Sequence, residues 1–200
     1  MPEDSQPVAR GDLVQDILRH EMMRVRKLSL NQILLASLRL PSYVATNYDC
    51  LFESAWRMLN PTNALAVVTN DGDFATAEYA SAAISGTVLF KIHGSADRPL
   101  ESMVLTRRAY RHHYRSNRKL FETIHRLLLE RHTLFVGFGH RDPEVSRLAE
   151  DAIFEYEKNQ ATNPLTVMRP QFYSLQFDLA HTHRPEVFAA RGIVALNPPI

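Results

Sequence analysis

Three short stretches of this sequence gather residue types that could handle a polar, partly charged ligand. They are Thr46-Asn47-Tyr48-Asp49, His93-Gly94 and Gly137-Phe138-Gly139, the last followed by Asp142-Pro143. Asn47 offers a carboxamide that both donates and accepts hydrogen bonds, Asp49 a carboxylate, and His93 an imidazole suited to taking a proton near neutrality. The glycines leave bare backbone open to close approach. This set suits a ligand with hydroxyl groups and a cationic ring, handled by positioned hydrogen bonds and one base. Singly the residues say less: Asn47 and Asp49 also read as turn and cap residues, and His93 as a satisfied structural histidine. It is the combination that points to a site.

Such residues act together only if the chain delivers them to one edge. Tyr43–Thr46, Leu65–Thr69, Thr87–Ile92 and Thr133–Val136 read as short strands, and the first, third and fourth end in the three stretches above. Met103–Leu105 reads as a further short strand, and Phe172–Phe177 and Ile193–Leu196 as final ones that bracket a short helix ending near Gly192. Helical patterns lie between them. Leu13, Ile17, Leu18, Met22 and Val25 form a stripe, and Ser29 with Gln32 reads as a capping box opening a helix through Leu38. Helices are expected over about 50–59, Arg107–Tyr114 and Leu120–Leu128, and the signal Asn70-Asp71-Gly72 marks a turn. Asp142-Pro143 supplies an N-cap and a first-turn proline to a helix with Val145, Leu148, Ala149, Ala152, Ile153 and Tyr156 on one face. Strands alternating with helices predict an α/β fold, a mostly parallel Rossmann-like sheet covered on both faces. In such a sheet ligands bind at the carboxyl ends of the strands.

Composition narrows the classes. The 200 residues, 45% hydrophobic and 22% charged, support one α/β domain over 11–200 after a tail at 1–10. A single cysteine rules out a disulfide framework and a cysteine-built zinc site, and it fits a reducing cytoplasm. No apolar run approaches the roughly 18 residues of a membrane span, so no membrane partner is expected. The acidic start lacks the apolar block of a secretory signal. A net charge of +1 gives no strong global pull on nucleic acid. Locally, 107–131 carries eight arginines and lysines against Glu122 and Glu130, whereas 142–157 carries six carboxylates against Arg147. The basic run is either a solvated helical face or a docking patch, for nucleic acid or, with its acidic counterpart, for another copy of the chain. The nine histidines show no paired ligand spacing, so no metal is expected.

Ala45-Thr46-Asn47-Tyr48-Asp49 with Leu51 and Glu53 resembles the Thr-Thr-Asn-Tyr-Asp segment of sirtuin-like domains in bacterial antiviral defence proteins. Lys91-Ile92-His93-Gly94-Ser95, then Val104-Leu105-Thr106 and Tyr110, is similar to the next blocks of that family. Leu134-Phe135-Val136-Gly137-Phe138-Gly139 with Asp142-Pro143 is similar to the third. The resemblance is strongest over about 43–145. It implies a Rossmann-type fold with NAD as substrate, cleaved at the nicotinamide–ribose bond so that NAD is depleted during phage infection. Asn47 and His93 would then be catalytic, Asn47 orienting the ribose and the attacking water and His93 acting as general base. Thr46, Asp49, Gly94, Gly137, Phe138, Gly139 and Asp142 would line the NAD site with them. Members commonly work as homo-oligomers or with a sensor or ATPase partner. Two departures are expected to matter. Gly139 stands where serine is common, and upstream of Asn47 the only glycine is Gly11, so the chain reads as lacking the family's opening Gly-rich βα unit. That makes a catalytically inactive NAD- or ADP-ribose-binding or assembly subunit the second reading. An NAD-dependent protein deacylase, whose zinc module needs four cysteines, is the third.

Overall fold

The computed structural model describes residues 10–24, 27–99, 102–138, 142–162, 171–175, 189 and 191–196. The chain divides into two compact units, Met1–Phe121 and Glu122–Ile200.

In the first unit, helices α1 (Arg10–Arg24) and α2 (Leu30–Ser37) precede strand β1 (Ser42–Ala45). Helix α3 (Leu51–Leu59), strand β2 (Leu65–Val68), a 3₁₀ turn at Asp71–Ala75, helix α4 (Ala77–Ser85) and strand β3 (Thr87–Lys91) follow. Then come α5 (Arg107–Ser116) and the start of α6 (Arg118–Glu130). The strands form a parallel sheet in the order β1-β3-β2, with Ala45 opposite Lys91 and Val68 opposite Phe90. β3 lies in the middle and is buried at every position, as expected of a parallel strand covered on both faces.

The capping box that opens α2 forms as the residue types require. Gln32 N donates to Ser29 Oγ, and Ser29 N donates to Gln32 Oε1 at 2.7 Å. α2 and α3 pack through Ala36, Ala55 and Trp56, with Tyr43, Phe52 and Leu65 against them. Asn60 Nδ2 joins the two helices by donating to the Ala36 carbonyl at 3.2 Å. The turn signal at Asn70–Gly72 becomes a capped 3₁₀ turn, because the Asp73 carboxylate accepts from Thr69 N and Thr69 Oγ1 at 2.7 and 2.9 Å. Asp71 caps α6 across 48 residues of sequence, accepting from Lys119 N at 3.0 Å and from Leu120 N at 2.8 Å.

One expectation comes out differently. Met103–Leu105 forms no strand: Val104 N donates to the His93 carbonyl at 3.0 Å, one bond rather than a ladder. The expected helical stripe falls on α1, where Leu13 and Ile17 are more than half exposed.

The second unit completes α6 and adds β4 (Thr133–Val136), α7 (Pro143–Thr162), β5 (Phe172–Leu175) and β6 (Ile193–Leu196). Its strands are also parallel, in the order β4-β5-β6. α7 buries Leu148, Ala149 and Ala152, the centre of the expected apolar face. Phe135 stacks on Phe172 with centroids 6.4 Å apart. Gln176 and Phe177, most of the helix expected before Gly192, and residues 1–9 of the tail expected at 1–10 lie outside the described residues, whereas Arg10 opens α1. No described helix is long and apolar enough to cross a membrane.

The α7 cap yields a stability prediction. Asp142 Oδ1 accepts from Glu144 N at 3.0 Å and Val145 N at 3.1 Å, satisfying two N–H groups that the first helical turn leaves without partners. Asp142→Ala is expected to cost about 0.5–2 kcal/mol, read as a lower denaturation midpoint in the absence of any ligand. An unchanged midpoint would discount the cap.

Candidate functional site

β1 and β3 run side by side and finish level, so the chain leaves both at the same sheet edge. Ile92 N donates to the Ala45 carbonyl at 3.1 Å, carrying the pairing one residue past the strand ends. Thr46-Asn47 and His93-Gly94 therefore emerge together at the carboxyl end of two adjacent parallel strands, where open α/β sheets bind ligands.

His93 fixes its own tautomer. Its Nδ1 lies 3.1 Å from the Thr46 carbonyl, which can only accept, so Nδ1 carries the hydrogen. In the neutral ring Nε2 then holds the lone pair, and the Tyr110 hydroxyl donates to it at 3.2 Å. Tyr48 also approaches, its ring centroid 6.2 Å from that of His93, and its hydroxyl donates to the Val104 carbonyl at 2.6 Å. α5 delivers Tyr110 because Thr106 caps the helix, its Oγ1 accepting from Ala109 N at 3.1 Å. Residue types alone gave Tyr110 no role, since it lies one helical turn inside an arginine-rich segment.

Asn47 is exposed, and its side chain makes no hydrogen bond among the described residues. Its neighbours are held. Thr46 presents its carbonyl to His93, and Asp49 Oδ1 accepts from Leu51 N at 3.0 Å, a turn bond at the start of α3. Gly94 is buried with φ of +87°, and a Cβ there would meet the Ser102 carbonyl oxygen at 2.1 Å. Only glycine lets the chain turn away from His93 this tightly.

Below the turn lies a charge that residue typing passed over. Lys91 ends β3 only 1% exposed, and its Nζ contacts Glu53 Oε1 at 2.9 Å and Ser95 Oγ at 2.7 Å. A lysine closing a run of apolar strand residues was the available signal. Nearby, burial raises the Asp97 carboxyl, but the hydrogen bond from Ser95 and the charges of Lys91 and Arg98 more than offset it and hold the group below its ordinary value. Burial raises the Cys50 thiol, against the pull of Lys91.

In the second unit, Gly137 follows β4 with φ of +63° and is exposed. Phe138 stacks on Phe135, centroids 5.5 Å apart, and both line a pocket with Val145, Ser146, Ala149 and Ile193 beside the capped start of α7. Gly139 lies outside the described residues. Thr46, Asn47, Asp49, His93 and Gly94 thus share one edge of the first unit, and Gly137, Phe138 and Asp142 follow β4 in the second. No cluster of three or more His, Cys, Asp or Glu placed to hold a metal occurs among the described residues.

Comparison with known proteins bears on this arrangement. A protein-family model described as "SIR2-like domain" matches residues 41–196. The chain is 34% identical over 155 residues to a protein of Enterococcus faecium named NAD(+) hydrolase ThsA, covering 76% of this chain and 30% of that protein. It is 30% identical over 152 residues to a protein of the same name from Bacillus cereus (strain MSX-D12), with the same two shares. The chain therefore spans less than a third of the length of these relatives.

The site edge carries a pH prediction. Burial pushes the His113 imidazole below its ordinary value, helped by the neighbouring His93 and by His112, and the Ile92 carbonyl and Asp71 do not make up the difference. A histidine with a depressed folded pKa binds fewer protons folded than unfolded. Its contribution is therefore present above the unfolded value near 6.5 and is lost as the pH falls below it. The melting temperature is expected to drop on acidification from about pH 7 toward 5. His113→Leu should show a smaller drop across that window, and an identical slope in parent and variant would remove His113 as a cause.

Proposed function

This chain belongs to the SIR2-like domain family, and from that membership we propose that it hydrolyses the nicotinamide–ribose bond of NAD, with Asn47 and His93 acting on the reacting ribose. One observation carries the proposal. Asn47 and His93 leave adjacent parallel strands at one level, the first exposed with its carboxamide uncommitted among the described residues, the second with its tautomer fixed. The names of the two relatives support the same substrate.

The chemistry asks for little more. When the C1′–N bond breaks, its electron pair goes to the pyridine nitrogen, and the cationic ring leaves as neutral nicotinamide. No acid is needed at that nitrogen. A water oxygen bonds to C1′ and gives up a proton, so the products are ADP-ribose, nicotinamide and one proton. His93 Nε2 takes the proton, exchanging its hydrogen bond with Tyr110 for one with the water or a ribose hydroxyl. Asn47 can accept from a ribose hydroxyl while donating to the water, a dual capacity that an ionised aspartate lacks. Asp49, Thr46 and Gly94 hold the turn; in the second unit, Gly137, Phe138, Gly139 and Asp142 are the residues that the family resemblance assigns to NAD. The chemistry calls on no metal.

We assign the activity to NAD depletion in antiviral defence in the cytoplasm, by a homo-oligomer or with a sensor or ATPase partner. The exposed basic residues of α5 and α6 and the acidic run of α7 favour contacts between proteins over nucleic acid.

The test is nicotinamide release from NAD together with NAD binding. His93→Ala should lower the rate on the order of 10²–10⁴-fold with the fold intact. Asn47→Ala and Asn47→Asp should both lose cleavage, Asn47→Ala retaining much of the affinity because most NAD contacts lie elsewhere. Parental release by Asn47→Ala would end its catalytic role. Binding lost from an intact fold would recast Asn47 as an anchor.

A further inference from the structure

Lys91 is the most deeply buried cation among the described residues, and the chemistry above does not use it. Four oxygens converge on its ammonium: Glu53 Oε1 at 2.9 Å, Ser95 Oγ at 2.7 Å, the Asp49 carbonyl at 2.7 Å and the Tyr48 carbonyl at 3.2 Å. An ammonium has three hydrogens, so the longest contact shares one. The Tyr48 carbonyl is covered a second time, accepting from Ala96 N at 2.8 Å.

The site takes its shape from which atoms are held. Before Asn47, the Thr46 carbonyl accepts from His93. After it, the carbonyls of Tyr48 and Asp49 accept from Lys91. Both donors belong to the segment that leaves β3. The backbone on either side of Asn47 is thus tied to the segment bearing His93, while the Asn47 side chain makes no hydrogen bond among the described residues. Holding two carbonyls would not by itself require a charge. Burying one is expensive, and the carboxylate brought in against it is incompletely served, because Glu53 Oε2 is buried without a hydrogen-bond partner. An apolar pair of similar size would fill the same space without that cost.

We propose that Lys91 is a positioning residue for NAD cleavage: its ammonium sets the Asn47 turn against His93, and Glu53 and Ser95 hold the ammonium. The inference rests on the reading of Asn47 and His93 as the reacting pair. It adds that catalysis depends on a residue that touches neither substrate nor reacting atoms.

The experiment separates this role from fold maintenance with two variants of opposite design. Lys91→Met combined with Glu53→Met removes both charges and keeps the packing, a replacement that buried ion pairs often tolerate. Lys91→Arg keeps the charge opposite Glu53 but offers a planar fork where four oxygens converge on a point. Each is checked for cooperative unfolding, and kcat and KM for nicotinamide release are then measured on folded protein. Both are expected to lose kcat on the order of 10²-fold, as for a small displacement of a reacting group, with KM essentially unchanged. Parental kcat in either folded variant overturns the proposal, as does a loss confined to KM. If one variant does not fold, the other decides. Asn47→Ala and His93→Ala run alongside: if they release nicotinamide at the parental rate, the reading of the reacting pair has failed, whereas losses there with parental Lys91 variants sink the positioning role alone.

Discussion

A parallel strand buried along its whole length must end somewhere, and β3 ends in a lysine. Everything else at this edge of the sheet answers that placement. An ammonium withdrawn from water needs its hydrogens matched within bonding distance, and four oxygens from β3's exit, the Asn47 turn and α3 supply the match. The ladder between β1 and β3 stops at the Ile92–Ala45 bond, and the next backbone tie to the turn after β1 is the bond from Ala96 N to the Tyr48 carbonyl. Past the ladder's end, side chains add ties of their own. Lys91 reaches across from β3's last position and His93 from two residues later. The turn is therefore registered against β3 by the same strand that leads into His93.

What could be read beforehand follows from the range of the interactions involved. The capping box at Ser29 and Gln32, the α7 start at Asp142-Pro143 and the strands ending at Val136 and Leu196 are decided within a few residues, and the residue types announce them. The capping of α6 by Asp71 spans 48 residues, and nothing near either partner signals it. Met103–Leu105 misleads for a related reason. Met103 and Val104 are buried, but they follow the His93-Gly94 turn as a tether to the His93 carbonyl rather than as a strand. The edge at which Asn47 and His93 meet was legible because parallel strands all deliver their carboxyl ends to one side. Tyr110 and Lys91 stand in the stretches that resemble the family's blocks, but their contacts were not legible, since a tyrosine amid arginines and a lysine after an apolar run gain partners only from what lies across from them.

The contrast between Asn47 and its neighbours carries the chemical argument one step further. In the proposed cleavage, a flexible asparagine would lose conformational freedom on binding a ribose, and that loss would weaken every interaction it makes in the transition state. Here much of that ordering is already done in folding, with backbone carbonyls on both sides of Asn47 hydrogen-bonded to the β3 exit. The Asn47 carboxamide, unbonded among the described residues, is left for a ligand. His93 is prepared in the complementary way, because the Thr46 carbonyl commits Nδ1 and turns Nε2 toward the hydroxyl of Tyr110. A hydroxyl is a fitting occupant, since water and ribose present the same group and can replace it without changing the tautomer. An acid there would tend to protonate the base, and an apolar side chain would leave a buried lone pair unmatched. The ground state thus keeps His93 oriented, with an exchangeable partner, while the Asn47 carboxamide stays uncommitted among the described residues. Such a division suits a reaction whose barrier lies in placing one water against one carbon rather than in protonating a leaving group.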